Sequence, residues 1–149
     1  MDKKRLEEIK EKAFEIRCLT INEISTFGSG HIGGAMSITD LLALLYFDVM
    51  NVDPENPKKD DRDRLVVSKG HAGPAVYSTL ALKGYFDKSM LSTLNQGGTN
   101  LPSHCDMLKT PGIDFTAGSL GQGFSAAMGI ACGNRVKGVD AWTYTIIGD

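Results

Sequence analysis

Residues that could bind a phosphorylated ligand together with a divalent cation lie in the last third of the sequence. Residues 118–123 (GSLGQG) form a glycine-rich turn in front of a helix of small residues. Such a turn offers backbone N–H groups and a helix N-terminus to negative charge. The apolar run 142–147 predicts a buried strand, and Gly148 and Asp149 follow it. A carboxylate at the tip of a strand suits a hard cation, so Asp149 is the candidate metal ligand.

The three histidines all follow small residues in predicted turns. The pairs are Gly30-His31, Gly70-His71 and Ser103-His104. Exposure to solvent is the simplest explanation for any one of them. Three such pairs favour a ligand site, because small neighbours let a ligand approach while the imidazole donates a hydrogen bond or transfers a proton. Their spacing does not match a zinc site.

Two segments match the glycine pattern of dinucleotide-binding folds. The pattern that begins at Gly28 follows a helix rather than a strand, so its context argues against it. The pattern that begins at Gly121 opens a helix and has Asp149 at a suitable distance, although only residues 113–116 could form the preceding strand. A nicotinamide-dinucleotide-binding domain built on residues 121–149 is therefore the alternative hypothesis.

A thiol hydrolase is a further hypothesis, because Cys105 follows His104 directly. Catalytic cysteine and histidine residues usually come from separate parts of a chain, and adjacent side chains generally diverge. The sequence therefore argues against a thiol nucleophile at this position.

Helices that alternate with short apolar runs must position these residues. Helical spacing predicts an amphipathic helix from about Lys3 to Phe27, and a more apolar, core-facing helix from Ile38 to Val49. Residues 51–64 are charged and contain two prolines, so they predict a solvated connection. A short buried strand at 65–67 and a helix from about Ala75 to Lys83 follow. This order predicts an α/β fold with a mainly parallel sheet flanked by helices, whose ligand lies beyond the carboxyl ends of the strands.

The composition is that of one globular domain. A chain of 149 residues buries roughly two thirds of its unfolded surface, and 42% of these residues are hydrophobic. A net charge of −2 gives no electrostatic footprint for nucleic acid or an anionic membrane. We expect no apolar run long enough to span a bilayer, and the charged N-terminus does not resemble a signal peptide. The expected location is therefore the cytoplasm.

Six motifs together resemble the thiamine diphosphate-binding half of transketolase. In chain order they are SGHIGG (29–34), DRDR running into SKGH (61–71), SH (103–104), PG (111–112), GSLGQG (118–123) and GD (148–149). The resemblance begins at about residue 5 and extends to the end of the chain. It is closest to the N-terminal subunit of the bacterial split transketolases, in which the two halves are separate polypeptides. It implies a thiamine diphosphate-binding fold, apparently truncated, with residues 1–149 as the N-terminal part of that domain.

The resemblance also implies roles for individual residues. His71 would contact the cofactor on its diphosphate side near the reacting centre, and His31 and His104 would contact sugar hydroxyls. These histidines are the candidate catalytic residues. Asp149 would be the first protein ligand of a Mg²⁺ or Ca²⁺ ion that bridges to the diphosphate. The residues that would line the cofactor are Gly118, Ser119 and Leu120.

The implied reaction transfers a two-carbon ketol unit from a ketose phosphate to an aldose phosphate, as in the pentose phosphate pathway. The cofactor supplies the nucleophilic carbon. In the family, an Asn beyond the Gly-Asp pair completes the metal site, and a glutamate of the other half activates the cofactor. We therefore expect a fragment or truncated subunit that is inactive alone. The expected partner is the C-terminal, pyrimidine-binding transketolase half, within a homo- or hetero-oligomer.

Overall fold

The structure is a computed structural model that describes residues 2–148. Within these residues the α-helices are α1 (Lys3–Phe27), α2 (Ile32–Met36), α3 (Thr39–Leu44), α4 (Gly73–Lys83) and α5 (Gln122–Lys137). The two strands of the described residues are β1 (Arg64–Val67) and β2 (Thr143–Ile146). A π-helical turn (Leu45–Val49) extends α3, and the 3₁₀ segments are Gly70–Ala72 and Lys88–Thr93.

Helix α1 begins and ends close to its predicted bounds. Asp2 caps it, since its Oδ1 accepts a hydrogen bond from the backbone N–H of Arg5 at 2.8 Å. At the other end Gly28 adopts φ 82°, a left-handed conformation that glycine adopts without strain, and donates its N–H to the carbonyl of Ile24. The buried residues of α1 lie at helical spacing and face α3 and α4. Among them are Ile9, Ala13, Ile16 and Thr20.

The predicted helix from Ile38 to Val49 is present as α3 and the π-helical turn, and the short α2 precedes it. Its core-facing character is confirmed, because Leu42, Ala43 and Leu45 are buried. Together α2, α3 and the turn form an 18-residue window, Ile32–Val49, that by length and composition alone could cross a membrane. The expectation that no apolar run is long enough was therefore wrong. In the fold this window packs against α1 and α4, the position of a core helix.

Strands β1 and β2 pair in parallel, as the α/β prediction requires. The register runs from Arg64 opposite Thr143 to Val67 opposite Ile146. Both strands end at the same edge, where Ser68 donates its backbone N–H to the carbonyl of Ile146 at 2.7 Å. One face of the pair packs into the main hydrophobic core through Leu65, Val67 and Ile146, and α5 contacts both strands. The turns that follow the two strands therefore lie side by side.

The charged connection 51–64 is less solvated than predicted. Asp63 is buried, and its two carboxylate oxygens accept hydrogen bonds from the backbone N–H groups of Asn51 and Trp142. Arg62 forms an ion pair with the carboxylate of Asp114, whose side chain is 3% exposed. These charges therefore fasten the starts of both strands, because a buried charge is stable only when it is paired and hydrogen-bonded.

One buried acid lies in the core away from both strand ends. Glu23 of α1 is 1% exposed, and its Oε2 accepts a hydrogen bond from the hydroxyl of Ser78 on α4 at 3.2 Å. Its other oxygen, Oε1, is buried without a partner among the described residues. Burial raises the pKa of Glu23 to about 9, since water no longer stabilises the ionised form. The side chain is therefore neutral at pH 7.

Candidate functional site

A cavity of about 670 Å³ lies at the carboxyl ends of β1 and β2. Its wall comes from four segments: helix α2 with the turn after it, the turn after β1, the turn that opens α5, and the end of β2. Lining residues from these segments include Gly34, Lys69, His71, Leu120, Gly121 and Gly148. This is the edge of a parallel sheet at which ligands bind in α/β folds.

The three histidines, which are far apart in sequence, meet beside this cavity. The ring centroids of His31 and His71 are 5.1 Å apart, and those of His71 and His104 are 6.4 Å apart. The His31 and His104 rings are separated by 6.2 Å. His71 is half-buried and lines the cavity, whereas His31 and His104 are exposed. The structure thus brings together all three predicted histidines, with His71 innermost.

Gly70 makes this convergence possible. A Cβ at Gly70 would overlap the carbonyl oxygen of Ala117 and lie 2.7 Å from its carbonyl carbon. Two backbone hydrogen bonds hold the same segments together: Cys105 donates to the carbonyl of Gly70 at 3.4 Å, and Ala117 donates to that of Cys105 at 3.2 Å. The missing side chain of Gly70 therefore lets the segments of His71, His104 and Gly118 pack against one another.

A second close approach fixes the start of α5 against the end of β1. A Cβ at Gly123 would lie 2.8 Å from the Cα of Ser68. The hydroxyl of Ser68 accepts the backbone N–H of Phe124 at 3.2 Å and so satisfies one donor of the helix N-terminus. Gly121, at φ 88°, turns the chain into this helix beside the cavity. The positive end of the α5 dipole therefore lies at the cavity.

The electrostatics of the site favour an anionic ligand. The ammonium of Lys69 donates a hydrogen bond to the hydroxyl of Ser37 at 2.9 Å, although the residue is only 8% exposed. Burial lowers the pKa of His71, and the nearby His31, His104 and Lys69 lower it further. His71 is therefore a neutral imidazole at pH 7, with one nitrogen that donates and one that accepts.

The predicted cofactor-lining residues lie in the loop that opens α5. Leu120 lines the cavity and is 69% exposed. Gly118 and Ser119 precede it in the same loop and are exposed. Asp149, the predicted metal ligand, lies outside the described residues, and its neighbour Gly148 lies at the cavity wall. The metal ligand therefore stays a prediction.

Lys69 and Ser68 belong to a motif that the sequence shows, but no role was predicted for either of them. The available signal was their position directly after a buried strand, where the carboxyl edge of the sheet is formed. The hydroxyl of Ser37 donates to the carbonyl of Gly34 at 3.0 Å and accepts from Lys69.

Cys105 does not have the properties of a nucleophile. It is 3% exposed, and burial raises the pKa of its thiol to about 12. Because the thiolate is the reactive form, the thiol is inert at neutral pH. The structure therefore agrees with the sequence argument against a thiol hydrolase.

Comparisons with known proteins agree with one another. The family described as "Transketolase, thiamine diphosphate binding domain" matches residues 9–149. A 6-deoxy-6-sulfo-D-fructose transketolase subunit of Clostridium sp. (strain MSTE9) is 56% identical over 142 residues, which cover 95% of this chain and 52% of that protein. An apulose-4-phosphate transketolase subunit of Phocaeicola vulgatus is 41% identical over 121 residues, which cover 81% of this chain and 43% of that protein.

A solved structure gives the same result. The transketolase from Leishmania mexicana superposes with a TM-score of 0.87 at 34% identity, over 95% of this chain and 23% of that one. The chain spans about half the length of the two bacterial relatives, which are 52% and 43% covered. The similarity thus extends over nearly all of the 149 residues.

Proposed function

The chain belongs to the transketolase thiamine diphosphate-binding domain family, and from this premise we propose that it is the N-terminal part of a split-type transketolase. With its other half it would transfer a two-carbon ketol unit from a ketose phosphate to an aldose phosphate. One observation carries the proposal: the cavity at the strand ends is bordered by His71, by the glycine-rich loop and by the segment that leads to Asp149.

The residues present fit thiamine diphosphate. The cavity of about 670 Å³ combines apolar walls with a helix N-terminus and a lysine, which suit a ligand with an apolar ring system and an anionic tail. A Cβ at Gly34 would come within 3.0 Å of the His71 imidazole, so this glycine keeps the wall open beside that ring. When bound, the cofactor supplies a nucleophilic carbon and an electron sink.

In this proposal the chain's own residues bind, orient and protonate. Gly118, Ser119 and Leu120 would line the cofactor, and Asp149 would hold Mg²⁺ or Ca²⁺ through oxygen. His71, neutral at pH 7, would donate a hydrogen bond from one ring nitrogen and accept one at the other. The exposed His31 and His104 would bind sugar hydroxyls, and a ring nitrogen of either could accept a hydroxyl proton. The positions of these two rings beside His71 support this assignment.

The proposal includes a partner. The apolar side chains of Leu120, Phe124 and Ile147 line the cavity, and each is between 45% and 69% exposed. A site with such an exposed wall would admit water, whereas ketol transfer needs water excluded. We therefore propose that the C-terminal transketolase half covers the cavity in a cytoplasmic oligomer, and that the chain alone is inactive.

The nicotinamide alternative lacks support. Among the described residues, 113–116 form no strand, so the glycine pattern at Gly121 lacks the strand that a dinucleotide fold places before it. The matching family description names thiamine diphosphate.

Calorimetric titration of the intact natural protein, assembled with its partner half, tests the function. Thiamine diphosphate should bind saturably in the presence of Mg²⁺ and much more weakly after chelation. NADH, followed by its fluorescence, should not bind. Metal-independent cofactor binding, no cofactor binding, or saturable NADH binding would each overturn the proposal. A His71→Ala variant, with an unchanged melting temperature, should lose ketol transfer and so tie the chemistry to this site.

A further inference from the structure

Lys69 is a buried cation at the cavity, and its charge has no carboxylate partner among the described residues. It is 8% exposed, yet within residues 2–148 no carboxylate oxygen lies within 4.0 Å of its ammonium. Arg62, whose side chain is 13% exposed, is paired with Asp114. Taking an ammonium out of water without a counter-charge is unfavourable. A cation that is retained without a carboxylate partner among the described residues therefore indicates an anion that binds there.

The surroundings of Lys69 hold its ammonium in place at the cavity. The hydroxyl of Ser37 accepts from Lys69 and donates to the carbonyl of Gly34, so both hydrogen-bonding roles of that hydroxyl are used. A Cβ at Gly148 would lie 3.9 Å from the Cδ of Lys69, which places the lysine stem beside the end of β2. The ammonium has three donors, and the described residues supply an acceptor for one.

The cavity wall contains no other fixed full charge within the described residues. His71 is neutral at pH 7, and none of the other lining residues is ionisable. Lys69 therefore sets the sign of the electrostatic potential, and this sign favours an anion. A diphosphate ester carries more negative charge than a single divalent cation neutralises. A second cation at the same edge of the sheet would supply the remainder.

We propose that Lys69 positions the diphosphate of the cofactor by facing it with an ammonium that Ser37 holds in place. This inference rests on the proposed function, because it assigns the part of thiamine diphosphate that Lys69 recognises. Lys69 is a positioning residue here, since the reacting carbon belongs to the thiazolium ring and not to the diphosphate. Two other roles are distinguishable from it: an ion pair with the carboxylate of Asp149, and a purely structural bridge to Ser37.

Ligands that differ only in charge test the proposal. Calorimetry on the intact, partner-assembled protein would compare thiamine diphosphate, thiamine monophosphate and thiamine at fixed Mg²⁺. We expect Lys69→Met to weaken thiamine diphosphate binding about 10- to 100-fold, the range for losing one charge-assisted hydrogen bond. The loss should be smaller for the monophosphate and absent for thiamine. Lys69→Arg should restore most of the preference for the diphosphate, and raised salt should weaken diphosphate binding in the wild type more than in Lys69→Met.

The remaining outcomes decide against the proposal. The Lys69→Met variant could bind all three ligands with wild-type affinity, or its affinity for all three could fall by the same factor. Either result would mean that Lys69 has a structural role or forms an ion pair with Asp149. If Lys69→Met does not fold, Lys69→Gln, which keeps a donor for Ser37, takes its place with the same criteria. If neither Lys69→Met nor Lys69→Gln folds, Lys69 has a structural role. Failure of the wild type to bind thiamine diphosphate would instead overturn the proposed function itself.

Discussion

The two ends of the β1–β2 pair differ in how their charged side chains are partnered. At the end where the strands begin, Asp63 binds two backbone N–H groups and Arg62 pairs with Asp114. At the end where the strands finish, Lys69 has a hydroxyl as its partner and the three histidines face one another. Charges that partners in the same chain satisfy hold the fold together. Charges that such partners do not satisfy indicate where a ligand belongs.

The largest expected effect comes from the cavity end, through Gly70→Ala. A methyl group there overlaps the Ala117 carbonyl, so the segments of His71 and His104 must separate. A displacement of about 1 Å in a preorganised site can lower the reaction rate by a factor of 10², so we expect ketol transfer by the partner-assembled protein to fall at least about 100-fold. Gly129→Ala is the matched control, because nothing lies within 4 Å of a Cβ there, and it should react at the wild-type rate. A wild-type rate for Gly70→Ala would show that this close approach does not assemble the site.

The next largest effect is expected at the end where the strands begin. It should lower the unfolding free energy rather than the affinity for the cofactor. Asp114→Asn leaves Arg62 buried without its counter-charge but keeps an acceptor for the N–H of Leu65. Removing one partner of a buried pair typically costs about 3–5 kcal/mol, measurable by urea unfolding. The exposed pair of Arg17 with Asp40 is the control, and Asp40→Asn should change stability by less than about 1 kcal/mol. If Asp114→Asn unfolds with wild-type stability, the contrast between the two ends is lost.

Glu23 sharpens the comparison, because it is a buried acid that lies at neither end. Its pKa is raised to about 9 in the folded protein, above the ordinary value of 4.5, so it stabilises the fold at low pH and loses that contribution as the pH rises towards 9. Between pH 6 and pH 8 the unfolding free energy of the wild type should therefore fall by about 3 kcal/mol more than that of Glu23→Gln. Urea unfolding at both pH values measures this difference.

Glu15, whose side chain is 41% exposed and paired with Lys12 on the same helix, provides the control for Glu23. Glu15→Gln should leave the change in unfolding free energy between pH 6 and pH 8 as it is in the wild type. A Glu23→Gln variant with the same pH dependence as the wild type would mean that Glu23 is ionised in the fold. In that case an unpaired charge in this protein would not by itself indicate a ligand.

The sequence predicted the helices and strands better than it predicted the pairing of charges. Apolar periodicity located α1 and β1 because burial of one face depends on neighbours along the same element. The segment 51–64 was predicted to be solvated because it is charged and contains two prolines, yet Asp63 is buried and hydrogen-bonded to Asn51 and Trp142. Such partners are far apart in sequence, so no local pattern contains them.

The candidate site shows the same limit. Its residues could be located in glycine-rich turns, because a turn and a missing side chain are local properties of the chain. That Gly70 packs against Ala117, and that Ser37 holds Lys69, depends on the tertiary fold. The roles proposed for the histidines and for Asp149 stay predictions that the experiments above test.

The smallest expected effect is electrostatic coupling within the cavity end. Lys69 lowers the pKa of His71, after burial and the other two histidines, so Lys69→Met should raise that pKa towards its ordinary value. His71 would then be protonated at a higher pH than in the wild type, which the pH dependence of its imidazole NMR signals measures. Lys83→Met removes a lysine that does not contribute to the shift of His71, and should leave this titration unchanged. If the pKa of His71 is the same in Lys69→Met as in the wild type, water screens the two groups from each other. The cavity end would then lack the unscreened electric field that attracts an anion.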